Sequence, residues 1–153
     1  MRGLLIHATA VAIDTAVGPC AVLLRGPSGA GKSDLGLRLI DAGAKLIADD
    51  QTELLRRGES VIARAPATLA GLIEVRGIGI IQMEFLPEAP VRLIVDLVPA
   101  ETIERLPIRA TEQLLDIELG RLAVAPFEAS AAAKVALAVR AFADPDLPAI
   151  VVK

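Results

Sequence analysis

The run Gly26-Pro27-Ser28-Gly29-Ala30-Gly31-Lys32-Ser33 combines three glycines with a lysine and a hydroxyl at its end. It fits the spacing G-x-x-x-x-G-K-[ST] of a phosphate-cradling loop. Glycine lets the backbone turn sharply and come close to an anion. Successive N–H groups can then point inward at phosphate oxygens, and a following helix adds its N-terminal donors. Lys32 supplies a full positive charge toward the outer phosphates, and the Ser33 hydroxyl can ligate Mg²⁺. A glycine turn matching this pattern by accident is expected on the order of once in a hundred chains of this length. A strand before the run and a helix after it lower that further.

Phosphoryl chemistry also needs an acid, to hold a metal or to take a proton from a nucleophile. Asp49-Asp50 closes the apolar stretch Leu46-Ile47-Ala48, and Asp96 closes Leu93-Ile94-Val95. A carboxylate at a strand end is commonly just solvated. Two adjacent ones are more telling, because like charges side by side call for a cation or a shared proton. Asp96 is therefore taken as the lesser candidate. His7 is the only histidine, and alone it sets no site.

The elements that must position these groups follow from apolar patterning. Leu4 to Ile13 reads as a strand and 14–19 as a turn. Cys20 to Arg25 reads as a buried strand feeding the loop, with Cys20 a small buried hydrophobe. A helix is expected over Ser33 to Ala42, with Gly43 at its C-terminal end. Lys45 to Ala48 is a short strand, and a hairpin turns around Arg57-Gly58. Ile78 to Met83 and Arg92 to Val98 read as strands, Thr111 to Leu119 as a helix, and Ala129 to Phe142 as a helix stopped by Asp144-Pro145. Mixed strands and helices make the class α/β, and the hairpins imply a sheet that is not purely parallel.

Composition bounds the rest. A chain of 153 residues is one domain's worth. A net charge of −3 and an absence of Trp and Tyr argue against a nucleic-acid binder, which needs basic surface and stacking platforms. One cysteine excludes an internal disulfide framework, which fits a cytoplasmic setting. No apolar run is long enough to span a membrane as a helix, and no signal peptide is evident. No N/T-K-x-D or L-S-G-G-Q motif is present, which disfavours a GTPase and a transporter ATPase. A phosphate-loop kinase of a small metabolite and a non-catalytic ATP-binding regulatory module both remain open at this point.

Four stretches together resemble the catalytic domain of the bacterial HPr kinase/phosphorylase. They are His7 in the opening strand, the phosphate loop followed by Leu46-Ile47-Ala48-Asp49-Asp50, Glu74-Val75-Arg76-Gly77-Ile78-Gly79-Ile80-Ile81, and Glu104-Arg105-Leu106. They span roughly residues 1 to 110, and the third is the most specific. The resemblance implies a phosphate-loop kinase-like mixed sheet flanked by helices, akin to phosphoenolpyruvate carboxykinase. It implies a Mg-ATP-dependent serine kinase acting on HPr, the phosphocarrier of a phosphotransferase system. The reverse reaction would be attack of inorganic phosphate on phosphoserine. Carried over by position, Lys32 contacts phosphates, and Ser33 and Glu74 hold Mg²⁺. Asp50 is the base with Asp49 nearer the metal, though the two could exchange roles. His7 pairs with that aspartate, and Arg105 is a catalytic cation. A cytoplasmic hexamer is also implied.

The chain departs from the family in three places. His7 lies so near the start that residues 1–153 are expected to form a single catalytic domain without the family's N-terminal domain. The family's basic V-x-P-G-R loop corresponds here to Val124-Ala125-Pro126-Phe127-Glu128-Ala129-Ser130, which has no arginine and carries Glu128. That favours the kinase over the phosphorylase direction, because a glutamate repels a phosphate co-substrate. Pro145 and Pro148 suggest shortened C-terminal helices.

Overall fold

A computed structural model describes residues 3–143. In chain order the elements are β1 (Gly3–Ile6), β2 (Ala8–Thr15), β3 (Gly18–Arg25), α1 (Lys32–Asp41), β4 (Lys45–Ala48), β5 (Thr52–Arg57) and β6 (Ser60–Arg64). There follow β7 (Leu72–Val75), β8 (Gly79–Gln82), β9 (Ala89–Leu97), β10 (Ala110–Leu114), β11 (Ile117–Val124) and α2 (Ala131–Ala143). The main sheet runs β1-β5-β6-β9-β3-β2-β4, with β10 and β11 attached through β9. β9 lies parallel to β3 on one edge. On its other edge it meets β6 antiparallel at Ala89 and Pro90, then β11 in parallel from Leu93 to Leu97. The sheet divides and curls there.

Curling explains why β2 and β3 are almost unbroken apolar runs: both of their faces are buried. Cys20, Val22 and Leu24 join Leu35, Leu39, Val135 and Val139 beneath the two helices. Ala21 and Leu23 point the other way, into a cluster with Leu54, Val61, Ala63 and Leu119 from the curled half. Small residues set the spacing of α1. A Cβ on Gly36 would sit 3.0 Å from the Thr9 methyl, so the glycine lets α1 lie close on β2. The turn after α1 closes as a Schellman motif, with Ala44 N–H donating to Leu39 C=O and Gly43 N–H to Ile40 C=O.

Three expectations change. The strand expected over Leu4 to Ile13 is broken at His7. β1 pairs with β5, whereas β2 pairs with β3 and β4, so the chain bends to pass between halves of the sheet. The helix expected over Thr111 to Leu119 is instead the hairpin β10–β11. Its turn has Leu115 and Asp116 at φ 51° and 64°, the left-handed pair of a tight two-residue turn. Leu115 tolerates that backbone because its side chain is buried and its carbonyl accepts from Arg56 Nη1 at 3.2 Å. The C-terminal helix starts at Ala131 rather than Ala129. Its expected stop at Asp144-Pro145, and Pro148, lie outside the described residues. No helix among the described residues is long and apolar enough to cross a membrane.

Candidate active site

The glycine loop occupies 26–31 between β3 and α1, as the motif requires. Buried β3 fixes its start. Gly31 at φ 100° caps α1, whose N-terminus receives no side-chain hydrogen bond. Lys32 is 93% shielded, and its Nζ donates to the carbonyls of Gly26 at 2.8 Å and Pro27 at 3.3 Å. The same ammonium lies 3.7 Å from Asp50 Oδ1.

The two aspartates at the end of β4 have different surroundings. Asp49 is tied down. Its Oδ1 accepts from Ser33 Oγ at 2.6 Å and Thr9 Oγ1 at 2.9 Å, and its Oδ2 from the Glu74 backbone N–H at 3.0 Å. Thr9 is fully buried, and its hydroxyl also accepts from Asp50 N–H at 3.2 Å. Asp50 sits at φ 66°, a left-handed conformation that aspartate tolerates better than most residues. Its side chain is 62% exposed and turned to Lys32.

These groups open onto a cleft of about 440 Å³ lined by Ser28, Gly29, Gly31, Lys32, Ser33, Asp34, Leu37, Asp50, Glu74, Val75, Arg76 and Phe127. The loop, Asp50 and Glu74 thus come together as the sequence expects, and Asp49 lies directly behind them. His7 and Arg105 do not line this cleft. His7 is exposed in the bend between β1 and β2, and Arg105 is exposed in the segment before β10.

The donor set is suited to a hard divalent cation. The Ser33 hydroxyl and the Asp49 and Glu74 carboxylates are all oxygen ligands, the kind Mg²⁺ takes alongside substrate phosphates. A protein cage of three or more carboxylate, histidine or cysteine ligands is absent among the described residues. One or two carboxylates plus phosphate oxygens is the usual arrangement for Mg²⁺ at a nucleotide.

Asp96 is excluded from that chemistry by its partners. Its Oδ1 accepts from Arg25 Nε at 2.9 Å and its Oδ2 lies 2.8 Å from Arg121 Nε. Arg25 also grips Glu112 with both terminal nitrogens, at 2.6 and 2.8 Å, and Arg121 Nη1 lies 3.2 Å from Glu112. The Arg25 hydrogen bond is the main cause that holds the Glu112 carboxyl below its ordinary range, and Glu112 in turn raises Arg25. This four-charge network clamps the end of β3, immediately before Gly26, to β9, β10 and β11.

Sequence reasoning missed Thr9, Arg38, Arg76 and Phe127 as parts of the site. Thr9 is a lone hydroxyl within an apolar strand, which also suits an ordinary β former. Arg76 belongs to the Glu74–Ile81 stretch, where nothing in the run singles it out from its neighbours; it lines the cleft. Arg38 on α1 donates to the carbonyls of Pro126 and Glu128, which pins the segment that carries Phe127. The carboxylate of Glu128 pairs with Lys134 at 3.3 Å, so in this segment Phe127, and not Glu128, reaches the cleft.

Residues 5–142 match the family model described as HPr Serine kinase C-terminal domain. The chain is 37% identical over 115 residues to the HPr kinase/phosphorylase of Geobacillus thermodenitrificans, covering 67% of this chain and 37% of that protein. It is 47% identical over 92 residues to the HPr kinase/phosphorylase of Leptothrix cholodnii, covering 55% and 28%. The chain therefore spans about a third of the length of these relatives. The solved Hpr(Ser) kinase/phosphatase from Coxiella burnetii superposes with a TM-score of 0.77 at 28% identity, covering 90% of this chain and 88% of that one.

Proposed function

The chain belongs to the HPr serine kinase C-terminal domain family, and we propose that it transfers the γ-phosphoryl group of Mg-ATP to a serine hydroxyl of the phosphocarrier HPr. The observation that carries this reading is the unequal pair of aspartates. Asp49 is held by three donors, whereas Asp50 is open to the cleft 3.7 Å from the phosphate-loop lysine. An acid restrained by the Ser33 hydroxyl suits metal binding, and an open acid beside the phosphate site suits proton transfer.

A serine hydroxyl is a weak nucleophile at neutral pH. Asp50 accepts its proton as the new O–P bond forms, and the carboxylic acid so produced can return the proton in the reverse direction. Lys32 exchanges its contacts with the Gly26 and Pro27 carbonyls for phosphate oxygens, and Arg76 adds a second cation on the cleft wall. The loop's N–H groups and the start of α1, which no side chain caps, face the developing charge. Ser33, Asp49 and Glu74 would hold Mg²⁺, which when bound offsets charge on the outer phosphate oxygens. His7 and Arg105, exposed and outside the cleft lining, act in this scheme only once HPr or a neighbouring subunit brings them to it.

The kinase direction dominates. The segment Val124–Ser130 presents Phe127 to the cleft and offers no arginine for a free phosphate ion. The assignment of Asp50 is tested with Asp50→Asn. We expect transfer to HPr to fall by about 10² to 10⁴-fold while ATP binding persists. Transfer at the wild-type rate in Asp50→Asn would overturn Asp50 as the base. ATP binding by the wild type without transfer to HPr would instead leave a nucleotide-responsive module.

A further inference from the structure

Of the three phenylalanines, Phe127 is by far the least covered by its neighbours. Phe142 packs under the Arg109 guanidinium at 4.2 Å and over Gly120, and Phe85 packs against Gly71. Phe127 is 72% exposed, and it lines the same cleft as the phosphate loop. It is nonetheless held in place. Ala125 and Pro126 before it are buried, Arg38 binds the carbonyls on either side of it, and Glu128 pairs with Lys134. The tip of its ring reaches Gly31, where a Cβ would stand only 3.0 Å from Cζ and 3.1 Å from Cε1. The rest of the ring is open to the cleft.

The cleft has two chemical characters. Lys32, Ser33, Asp50, Glu74 and Arg76 make one part charged. Gly31, Asp34 and Leu37 recur every three residues, so they follow one face of α1 away from the loop. The Asp34 carboxylate is paired with Arg38 at 3.1 Å, and Leu37 and Phe127 supply the apolar surface on that side. A ligand that fits both parts has a polyanionic end joined to a flat, weakly polar end.

We propose that Phe127 is the nucleobase platform of this site: the base of the nucleotide whose phosphates occupy the loop stacks on its ring, with Leu37 completing the wall. The inference rests on the reading of the loop as a nucleoside triphosphate site. It adds the element that distinguishes a nucleotide from an inorganic polyphosphate. Every base has a π face, so stacking on phenylalanine holds the base without reading its edge.

The test is calorimetric titration of the full chain with Mg-ATP and, separately, with Mg-tripolyphosphate, which has the phosphates and no base. Phe127→Ala, Phe127→Leu and Phe127→Tyr are compared with the wild type. Phe127→Ala is expected to weaken ATP by about tenfold, within the range measured for base–aromatic stacking, and to leave tripolyphosphate within about twofold. Phe127→Tyr restores ATP affinity, and Phe127→Leu recovers only part. Unchanged ATP affinity in Phe127→Ala contradicts the platform while leaving the phosphate site intact. Equal weakening of both ligands also contradicts it, because it assigns the ring a role in holding the loop. If the wild type binds neither ligand, the nucleotide reading itself fails, and the platform with it.

Discussion

At the residue scale, Thr9 decides which of two neighbouring aspartates is free. Its hydroxyl donates to Asp49 and accepts from Asp50 N–H, so one buried oxygen restrains the first acid and sets the backbone of the second. Replacing it with the near-isosteric valine leaves the Asp50 N–H and one Asp49 lone pair without that partner. The expected cost is about 1–3 kcal/mol of stability, measured by urea denaturation. The turnover number should fall with KM for ATP little changed, and Thr9→Ser should recover most of both. The phosphate loop and the paired aspartates were legible in the sequence because each is a contiguous run with fixed spacing. Thr9 was not, because its contacts are 40 residues away in the chain. Phe127 was equally opaque: the sequence drew attention to Glu128 beside it, and only the ion pair with Lys134 shows that the glutamate is engaged elsewhere.

At the scale of elements, the Arg25–Asp96–Glu112–Arg121 network does for the loop's entry what burial does for β3. It ties the end of β3 to β9, β10 and β11 where the chain leaves the sheet for Gly26. The sign of its pH dependence follows from Glu112, whose carboxyl is held low chiefly by Arg25. Such a group stabilises the fold above its unfolded value, about 4.3 for glutamate, and that contribution is lost as pH falls through the lower folded value. A stability profile taken from neutral pH into this acid range should therefore fall less steeply in Glu112→Gln than in the wild type. At neutral pH the variant should lose about 1 kcal/mol, because side chains a quarter exposed share their charge with solvent. An equal acid slope in both proteins would remove Glu112 from the account. The same hairpin shows where sequence reasoning failed. Leu114, Leu115, Ile117 and Leu119 satisfy helical spacing as well as strand alternation. What selects the strand is pairing with β9, a long-range contact that local periodicity does not carry.

For the whole molecule, the fold class was legible because strand-like and helix-like stretches alternate along the chain; that β2 and β3 are buried on both faces, and so need cover on both sides of the sheet, was not. Helices supply one cover. The other comes from the sheet's own curl, through β5, β6 and β11, and no local pattern announces that. The resulting cleft places the phosphate loop, an open aspartate and an aromatic ring on one surface. It offers no arginine in the Val124–Ser130 segment for a free phosphate. Serine phosphorylation should accordingly outpace phosphate-dependent release of pyrophosphate from phospho-HPr by at least about tenfold under matched conditions, a ratio in line with loss of one cationic contact. Comparable rates in both directions would show that another group binds the phosphate. Whether this chain is a serine kinase of HPr is decided by the intact mass of HPr after incubation with the chain, ATP and Mg²⁺, followed by fragmentation to locate the modification. The account predicts one added phosphoryl group, on serine. An unmodified HPr, with ATP bound to the chain, would contradict it.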